Sequence, residues 1–246
     1  MLFRSINRLG FNNHGSEIVS KRIAENLPSG FLGINVGPNK ETQNKEEDYF
    51  LCLSRLGTQA GYLTINISSP NTKGLRDFHN KKELEKLLKG INKIKKDKNL
   101  LKPLVLKLSP DINDNEISNI IELIKKYEIN GIIVSNTTDS NRENLIDIKK
   151  SEVGGLSGQP LRDLSTNLIK KFYRETKGEI QIIGVGGVDS GQAAFEKIGA
   201  GANAVQLYTG MVYKGPGVVK DIKKELISIL KKENLKNIGE AVGINA

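Results

Sequence analysis

The chain has no tryptophan, one cysteine and two histidines in 246 residues, and only 5% of it is aromatic. Each scarcity removes a class of function. A single thiol, Cys52, excludes an internal disulfide and any cysteine-ligated metal or iron–sulfur cluster supplied by this chain alone. Its helical spacing with Tyr49 and Leu56 marks it as a buried structural thiol. Neither His14 nor His79 stands at the end of an apolar run, so neither is assigned a role, and no metal is expected. No stretch approaches the ~18 apolar residues of a membrane span. Residues 1–10 lack the apolar core of a signal peptide, and the chain reads as soluble and cytoplasmic.

What the chain has in excess is lysine, and its formal charge is +9. Between Lys81 and Lys102 nine lysines face three acids, Glu83, Glu85 and Asp97. Beneath them Leu84, Leu87, Leu88, Ile91 and Ile94 form a helical apolar stripe, so the charge is the solvated outer face of a packed helix. Without aromatic platforms or a recognisable module, nucleic acid is not an expected partner.

In chain order, Met1 to Asn13 reads as a loop, and a helix from Gly15 to Leu27 follows, with Ser16 as cap and Val19, Ile23 and Leu27 inward. Gly30 to Asn35 is a short apolar run, and Gly37-Pro38-Asn39 is turn chemistry. A helix over Glu46 to Ala60 turns Tyr49, Cys52, Leu53 and Leu56 inward. Gly61 to Asn66 is the next strand, and Pro70 holds Ser69 in extended geometry, which crowds Asn66, Ser69 and Asn71 where the strand stops. Asn80 and Glu83 are spaced as a capping box. Pro103 to Pro110 is a strand containing Lys107, a cation that needs a partner. The helix from Asp114 to Tyr127 aligns Ile117, Ile120, Ile121 and Ile124, and Gly131 to Asn136 is again a strand. Residues 139–153 are a polar excursion, Gly154 to Gly158 is a backbone able to approach a ligand, and a helix runs on to Lys177. Gln181 to Val188 and Ala204 to Gly210 are the last strands, with a helix capped by Ser190 between them and a long helix opened by Pro216 after them.

Gly30 to Asn35, Gly61 to Asn66, Gly131 to Asn136 and Gly201 to Gln206 each place an amide five residues after a glycine. Strand and helix alternate, which argues a parallel sheet with helices outside. The glycines near 184–187 and 208–210 precede helices, an arrangement that holds phosphate after the last two strands of (β/α)8 barrels. Six strands are found where a closed barrel has eight.

Asn7-Arg-Leu-Gly-Phe-Asn-Asn13, Gly33-Ile-Asn-Val-Gly37, Asn66-Ile-Ser-Ser-Pro-Asn-Thr72, Val105-Leu-Lys107, Ser135-Asn-Thr-Thr138, Gly154-Gly-Leu-Ser-Gly-Gln-Pro-Leu161, Gly184-Val-Gly-Gly187 and Tyr208-Thr-Gly210 together resemble the dihydroorotate dehydrogenases. The motifs are collinear over essentially the whole chain. Ser69, where the cytosolic class has a cysteine base, points to the quinone-dependent class 2 branch. The resemblance implies an α/β fold of the (β/α)8 type, residues 1–246 forming one amino-terminally truncated FMN-binding domain with about six of eight units. The absent part would include two β/α units, roughly 60 residues, and the helical pair through which the family touches the membrane.

The resemblance also implies FMN as cofactor, dihydroorotate and orotate as substrate and product, and quinone as final acceptor. Carried over by position, Ser69 is the catalytic base. Asn35, Asn66, Lys107, Ser135, Gly158, Gly187, Tyr208 and Thr209 contact FMN. Asn7, Arg8, Leu9, Gly10, Phe11, Asn66, Asn71, Asn136 and Thr137 contact substrate. By the same resemblance, Thr72 and Phe11 border a path that relays the proton to water, and the protein is peripheral on the cytoplasmic membrane. Ser135 and Thr209 exchange threonine and serine relative to the family's usual residues, and both keep the hydroxyl. The alternatives are another FMN barrel acting on a pyrimidine and a non-catalytic fragment.

Six parallel strands in a fold built for eight would leave two unpaired sheet edges. On that count the chain alone is expected to self-associate and to pass no electrons to quinone. Its oligomeric state, flavin content and activity after purification test this, and a monodisperse, yellow, active preparation would overturn it.

Overall fold

The computed structural model describes residues 3–246 apart from Lys73, Asn141 and Asn144. The chain runs β1 (Arg4–Asn7), α1 (Ser16–Glu25), β2 (Gly33–Val36), α2 (Lys45–Leu56), β3 (Tyr62–Asn66), α3 (Lys81–Asp97), β4 (Leu104–Leu108) and α4 (Asp114–Lys126). It continues β5 (Gly131–Val134), β6 (Gly155–Gly158), α5 (Arg162–Thr176), β7 (Gln181–Val185), α6 (Gly191–Gly199), β8 (Ala204–Gln206), α7 (Thr209–Lys214) and α8 (Val218–Lys232). Setting β1 and β6 aside, this is the expected series of six strands with helices between them. Two compact units result. The early unit is Leu9–Lys107 with Ile112–Gly131; the late unit is the segment ending at Arg8, Leu108–Asp111 and Ile132–Ala246.

In the early unit β2, β3 and β4 lie side by side and parallel, with Ile34 opposite Leu63 and Ile65 opposite Leu106. Leu63, Ile65 and Leu106 are fully buried, and Thr64 and Asn66 nearly so, so β3 is enclosed on both of the faces between which its side chains alternate. From α2 come Tyr49, Leu53 and Leu56; from α3, Leu84, Leu87, Leu88 and Ile91. Ile94 and Cys52, both expected inside, are only half buried.

The lysine-rich face is solvated as expected, and ion pairs link part of α3 to its neighbours. Lys81 reaches Glu122 at 2.5 Å, Lys126 reaches Glu85 at 2.5 Å and Lys86 reaches Glu46 at 2.9 Å.

Four local expectations are corrected here. The first helix buries none of its side chains and Leu27, outside it, is 73% exposed. Ser16 is not its cap: Gly15 holds that position, and the Ser16 hydroxyl accepts instead from Arg55 at 3.0 Å. Asn80 does cap α3, but through the N–H of Lys82 at 3.0 Å, not in a box with Glu83. The reciprocal box is at α4, where Asn113 Oδ1 accepts from Glu116 N–H at 3.0 Å and Glu116 accepts from Asn113 N–H at 2.8 Å. In α4, Leu123 is buried where Ile121 was expected.

In the late unit β7 and β8 are parallel, with Gly184 opposite Val205, and Ser135 N–H just past β5 donates to Val185 O at 3.1 Å. Val188, Ala194, Val218 and Ile222 form one cluster between α6 and α8, and Phe195, Ile198 and Ala241 a second. The final strand is shorter than expected, because Thr209 already begins α7.

The presumed loop before Asn13 contains β1, and the glycine run 155–158 is its antiparallel partner, β6. Four residues without alternating hydrophobicity carry no strand signal; their pairing is tertiary. Gly154 and Gly158 have φ of +140° and +92°, and a Cβ at either would strike the backbone carbonyl of Asn7 or Phe3. Those glycines therefore serve strand pairing. From α7, the Tyr213 hydroxyl donates to Arg4 O at 2.7 Å and Lys214 stands 5.0 Å from the Phe3 ring. Among the described residues, no helix is long and apolar enough to cross a membrane.

Replacing Asn113 by alanine removes the bond that its side chain accepts from Glu116 N–H at the start of α4, while the backbone N–H that Glu116 accepts from remains. The expected loss is about 1 kcal/mol of stability, read as a lower urea midpoint with unchanged slope.

Candidate functional site

In the early unit the polar residues gather at the carboxyl ends of β2, β3 and β4. Register places Asn35 opposite Thr64, Thr64 opposite Val105, and Asn66 opposite Lys107. Since side chains alternate along a strand, Asn35, Thr64, Asn66, Val105 and Lys107 share one face. Asn66 is held firmly: its carbonyl accepts from the buried Tyr49 hydroxyl at 2.5 Å, and its Oδ1 accepts from Ser68 N–H and Oγ at 3.2 and 3.1 Å. Ser69 follows, 8% exposed, its Oγ accepting from Asn71 N–H at 3.3 Å. The expected crowding of Asn66, Ser69 and Asn71 is thus met, and Thr72 is buried beside them.

Lys107 is half buried, and burial pushes its ammonium below the ordinary lysine range. Among the described residues it makes no hydrogen bond or ion pair. The partner that a cation in an apolar strand calls for is not supplied by the described residues. Asn35, exposed at the neighbouring strand end, likewise has no side-chain bond among the described residues.

The segment Asn7 to Phe11 divides between the units. Asn7 closes β1, its amide donating to Gly155 O at 3.4 Å, and the exposed Arg8 reaches Glu152 at 2.8 Å and Val153 O at 2.7 Å. In the early unit Leu9 is 56% exposed, Gly10 takes φ +64°, and the Phe11 ring lies over Gly37. His79, assigned no role, is buried, and that burial with Arg76 nearby lowers its pKa to about 4.

In the late unit Ser135, Asn136 and Thr137 follow β5. Ser135 is buried, and Asn136 Oδ1 accepts from Thr137 N–H at 2.8 Å. Beside them Asp111 binds the hydroxyls of Thr138 and Ser140 at 2.5 and 2.8 Å, a bracing cluster that periodicity does not reveal. Gly158 and Gly187 are buried with positive φ, and at Gly187 a Cβ would come within 2.9 Å of Arg162 Cα. The glycines after β7 thus press on the first turn of α5.

Asp189 gathers that region. It pairs with Arg162 at 2.5 Å and with Gln159 at 2.8 Å, and its carbonyl accepts from Lys214 at 2.7 Å. Arg162 Nε also donates to Gly187 O at 3.2 Å. Thr209 is buried, its hydroxyl 2.9 Å from that of Ser157, while Tyr208 is 69% exposed. Arg162, Asp189 and Ser157 escaped sequence reading; the nearest signal was Asp189 between a glycine pair and a helix-capping serine.

The family model for dihydroorotate dehydrogenase matches residues 3–230. A dihydroorotate dehydrogenase (quinone) of Bartonella tribocorum is 42% identical over 237 residues, covering 95% of this chain and 66% of that protein. The mitochondrial dihydroorotate dehydrogenase (quinone) of Mus musculus is 43% identical over 256 residues, covering 98% and 63%. The chain thus spans about two thirds of the length of these relatives. A ligand-free crystal structure of the Eimeria tenella enzyme superposes with a TM-score of 0.93 at 34% identity, over 99% of this chain and 74% of that one. With the family model spanning most of the chain and the fold shared at that level, this chain belongs to the dihydroorotate dehydrogenase family.

Proposed function

We propose that this chain serves the oxidation of dihydroorotate to orotate in pyrimidine (UMP) synthesis, with FMN as cofactor and a quinone as final electron acceptor, as the larger part of an enzyme completed by the β/α units and helical pair that the resemblance implies. The observation that carries the reading is Lys107: a half-buried cation without a counter-charge among the described residues, next to Asn66 on a face that also presents Asn35. An anionic flavin held at this face would supply that counter-charge. The rest of the donor set suits FMN as well. Ser135 offers a hydroxyl, and the backbone at Gly158 and Gly187, with Tyr208 and Thr209, suits its phosphate. FMN, when bound, supplies the hydride acceptor.

The residues around the substrate would hold and orient it. Asn7, Asn66, Asn71 and Asn136 each carry a donor and an acceptor on one amide, which matches the alternating N–H and C=O edge of orotate. Arg8, Leu9, Gly10, Phe11 and Thr137 complete the proposed contacts. Ser69 takes the proton from C5 of dihydroorotate. A free serine is a very weak base, but the Asn71 N–H already donates to Ser69 Oγ and stabilises negative charge developing there. Thr72 and Phe11 border the path by which the proton leaves to water. Because quinones dissolve in lipid, reoxidation belongs at a membrane surface, and peripheral attachment to the cytoplasmic membrane is part of this proposal.

In a version extended to the full length of the family, Ser69→Ala is expected to lower dihydroorotate turnover by ~10²–10⁴ while flavin content is retained. An unchanged rate would remove Ser69 from the reaction.

Lys107→Met separates function from stability by sign. Burial disfavours the charged form of Lys107, so its folded pKa lies below its unfolded one and the charge opposes folding at neutral pH. The apo variant is therefore expected to melt higher than the parent while holding flavin less well. A lower melting point, or undiminished flavin retention, would overturn the assigned role.

A further inference from the structure

A second lysine carries its charge deeper than Lys107 does. Lys197, on α6, is 0% exposed, and its ammonium meets only oxygens of neutral groups on the first turn of α5: Ser165 Oγ at 2.5 Å, Thr166 Oγ1 at 3.0 Å and Arg162 O at 3.4 Å. Ser165 Oγ in turn lies 3.4 Å from Gly186 O. Two cations, Lys197 and Arg162, therefore converge on the amino-terminal turn of a 15-residue helix, which is itself the positive end of a dipole. Asp189, engaged by Arg162 and Gln159, is the carboxylate bonded there. Asp189 offsets Arg162, and Asp163 and Glu196 stand near Lys197, so charges of both signs meet at this turn beside a glycine loop.

We propose that Lys197 is a positioning residue: its buried ammonium ties Ser165 and the Gly186–Gly187 turn to the start of α5 and lends that turn the charge that selects a phosphate monoester. This rests on the reading of Gly158 and Gly187 as the flavin phosphate site. The oxygens Lys197 binds are those of the turn itself, so its effect on the ligand is electrostatic and passes through the backbone they hold. Burial and the nearby Arg162 lower the Lys197 pKa to about 7, while Glu196 and Asp163 oppose the shift. From β7, Gly184 packs against its stem without adding charge. Its ionisation is thus poised near neutrality.

The test compares FMN with riboflavin, which lacks the phosphate, by fluorescence titration of the whole chain freed of flavin. The unaltered chain is expected to prefer FMN. Lys197→Met is expected to lose about tenfold in FMN affinity with riboflavin affinity unchanged, the scale of one partly screened charge. A variant that binds both flavins equally weakly, or FMN as well as the parent does, overturns the proposal and leaves the flavin site standing. A parent chain without any preference for FMN overturns the phosphate-site reading, and this proposal with it.

Should Lys197→Met fail to fold, the unaltered chain decides the matter. Its preference for FMN is expected to fall as the pH rises from about 6.5 to 9; a phosphate monoester, with its second pKa near 6, stays dianionic there. A flat or rising preference overturns the proposal.

Discussion

A strand buried on both faces must settle every polar group at its end without help from water, and the early unit's rim is the outcome of that constraint. Asn66 shows how it is met. Its carbonyl takes the Tyr49 hydroxyl, its side-chain oxygen takes both donors of Ser68, and the chain then turns so that Ser69 accepts from Asn71. An unpaired buried amide or carbonyl costs about 1–3 kcal/mol, so these bonds hold the turn in one geometry. The atoms that remain at the rim, the Asn35 amide and the Lys107 ammonium, are the ones that no local donor or acceptor needs. A site for a ligand is, in this sense, what strand termination leaves over.

Much of this could be read in the sequence, because period and punctuation carry it. All six parallel strands stand where the apolar runs place them, four of those runs led by a glycine, and the buried stripe of α3 is the one its leucines mark out. The gathering of Asn66, Ser69 and Asn71 follows from Pro70. What escaped was decided by tertiary partners. The pairing of β1 with β6 depends on two glycines and a contact about 150 residues away along the chain, and neither segment alternates. The capping box was assigned to Asn80, whose oxygen reaches one residue short of Glu83, while the equally spaced Asn113 and Glu116 form it. Nor does spacing reveal that Asp189 joins Arg162, Gln159 and Lys214, since each comes from a different element.

Lysine illustrates how little residue type alone determines. On α3 the charges lie outside, paired with glutamates, and contribute little each because water screens them. Lys107 sits half buried within a strand, where the same group opposes folding. Lys197 is wholly enclosed and satisfied by hydroxyls and a carbonyl. A net charge of +9 counts these as equals, although their surroundings differ from open water to a closed interior.

The half-buried position of Cys52 has a practical side. It is the chain's single thiol, and burial first, then the nearby Asp48, raises its pKa above the usual thiol range. The thiolate, which is the reactive form, is therefore scarce while α2 stays packed. Alkylation at Cys52 then proceeds chiefly when α2 loosens, so the rate of labelling serves as a clock for local opening of the early unit, and mass spectrometry can follow it at one site without any engineered probe.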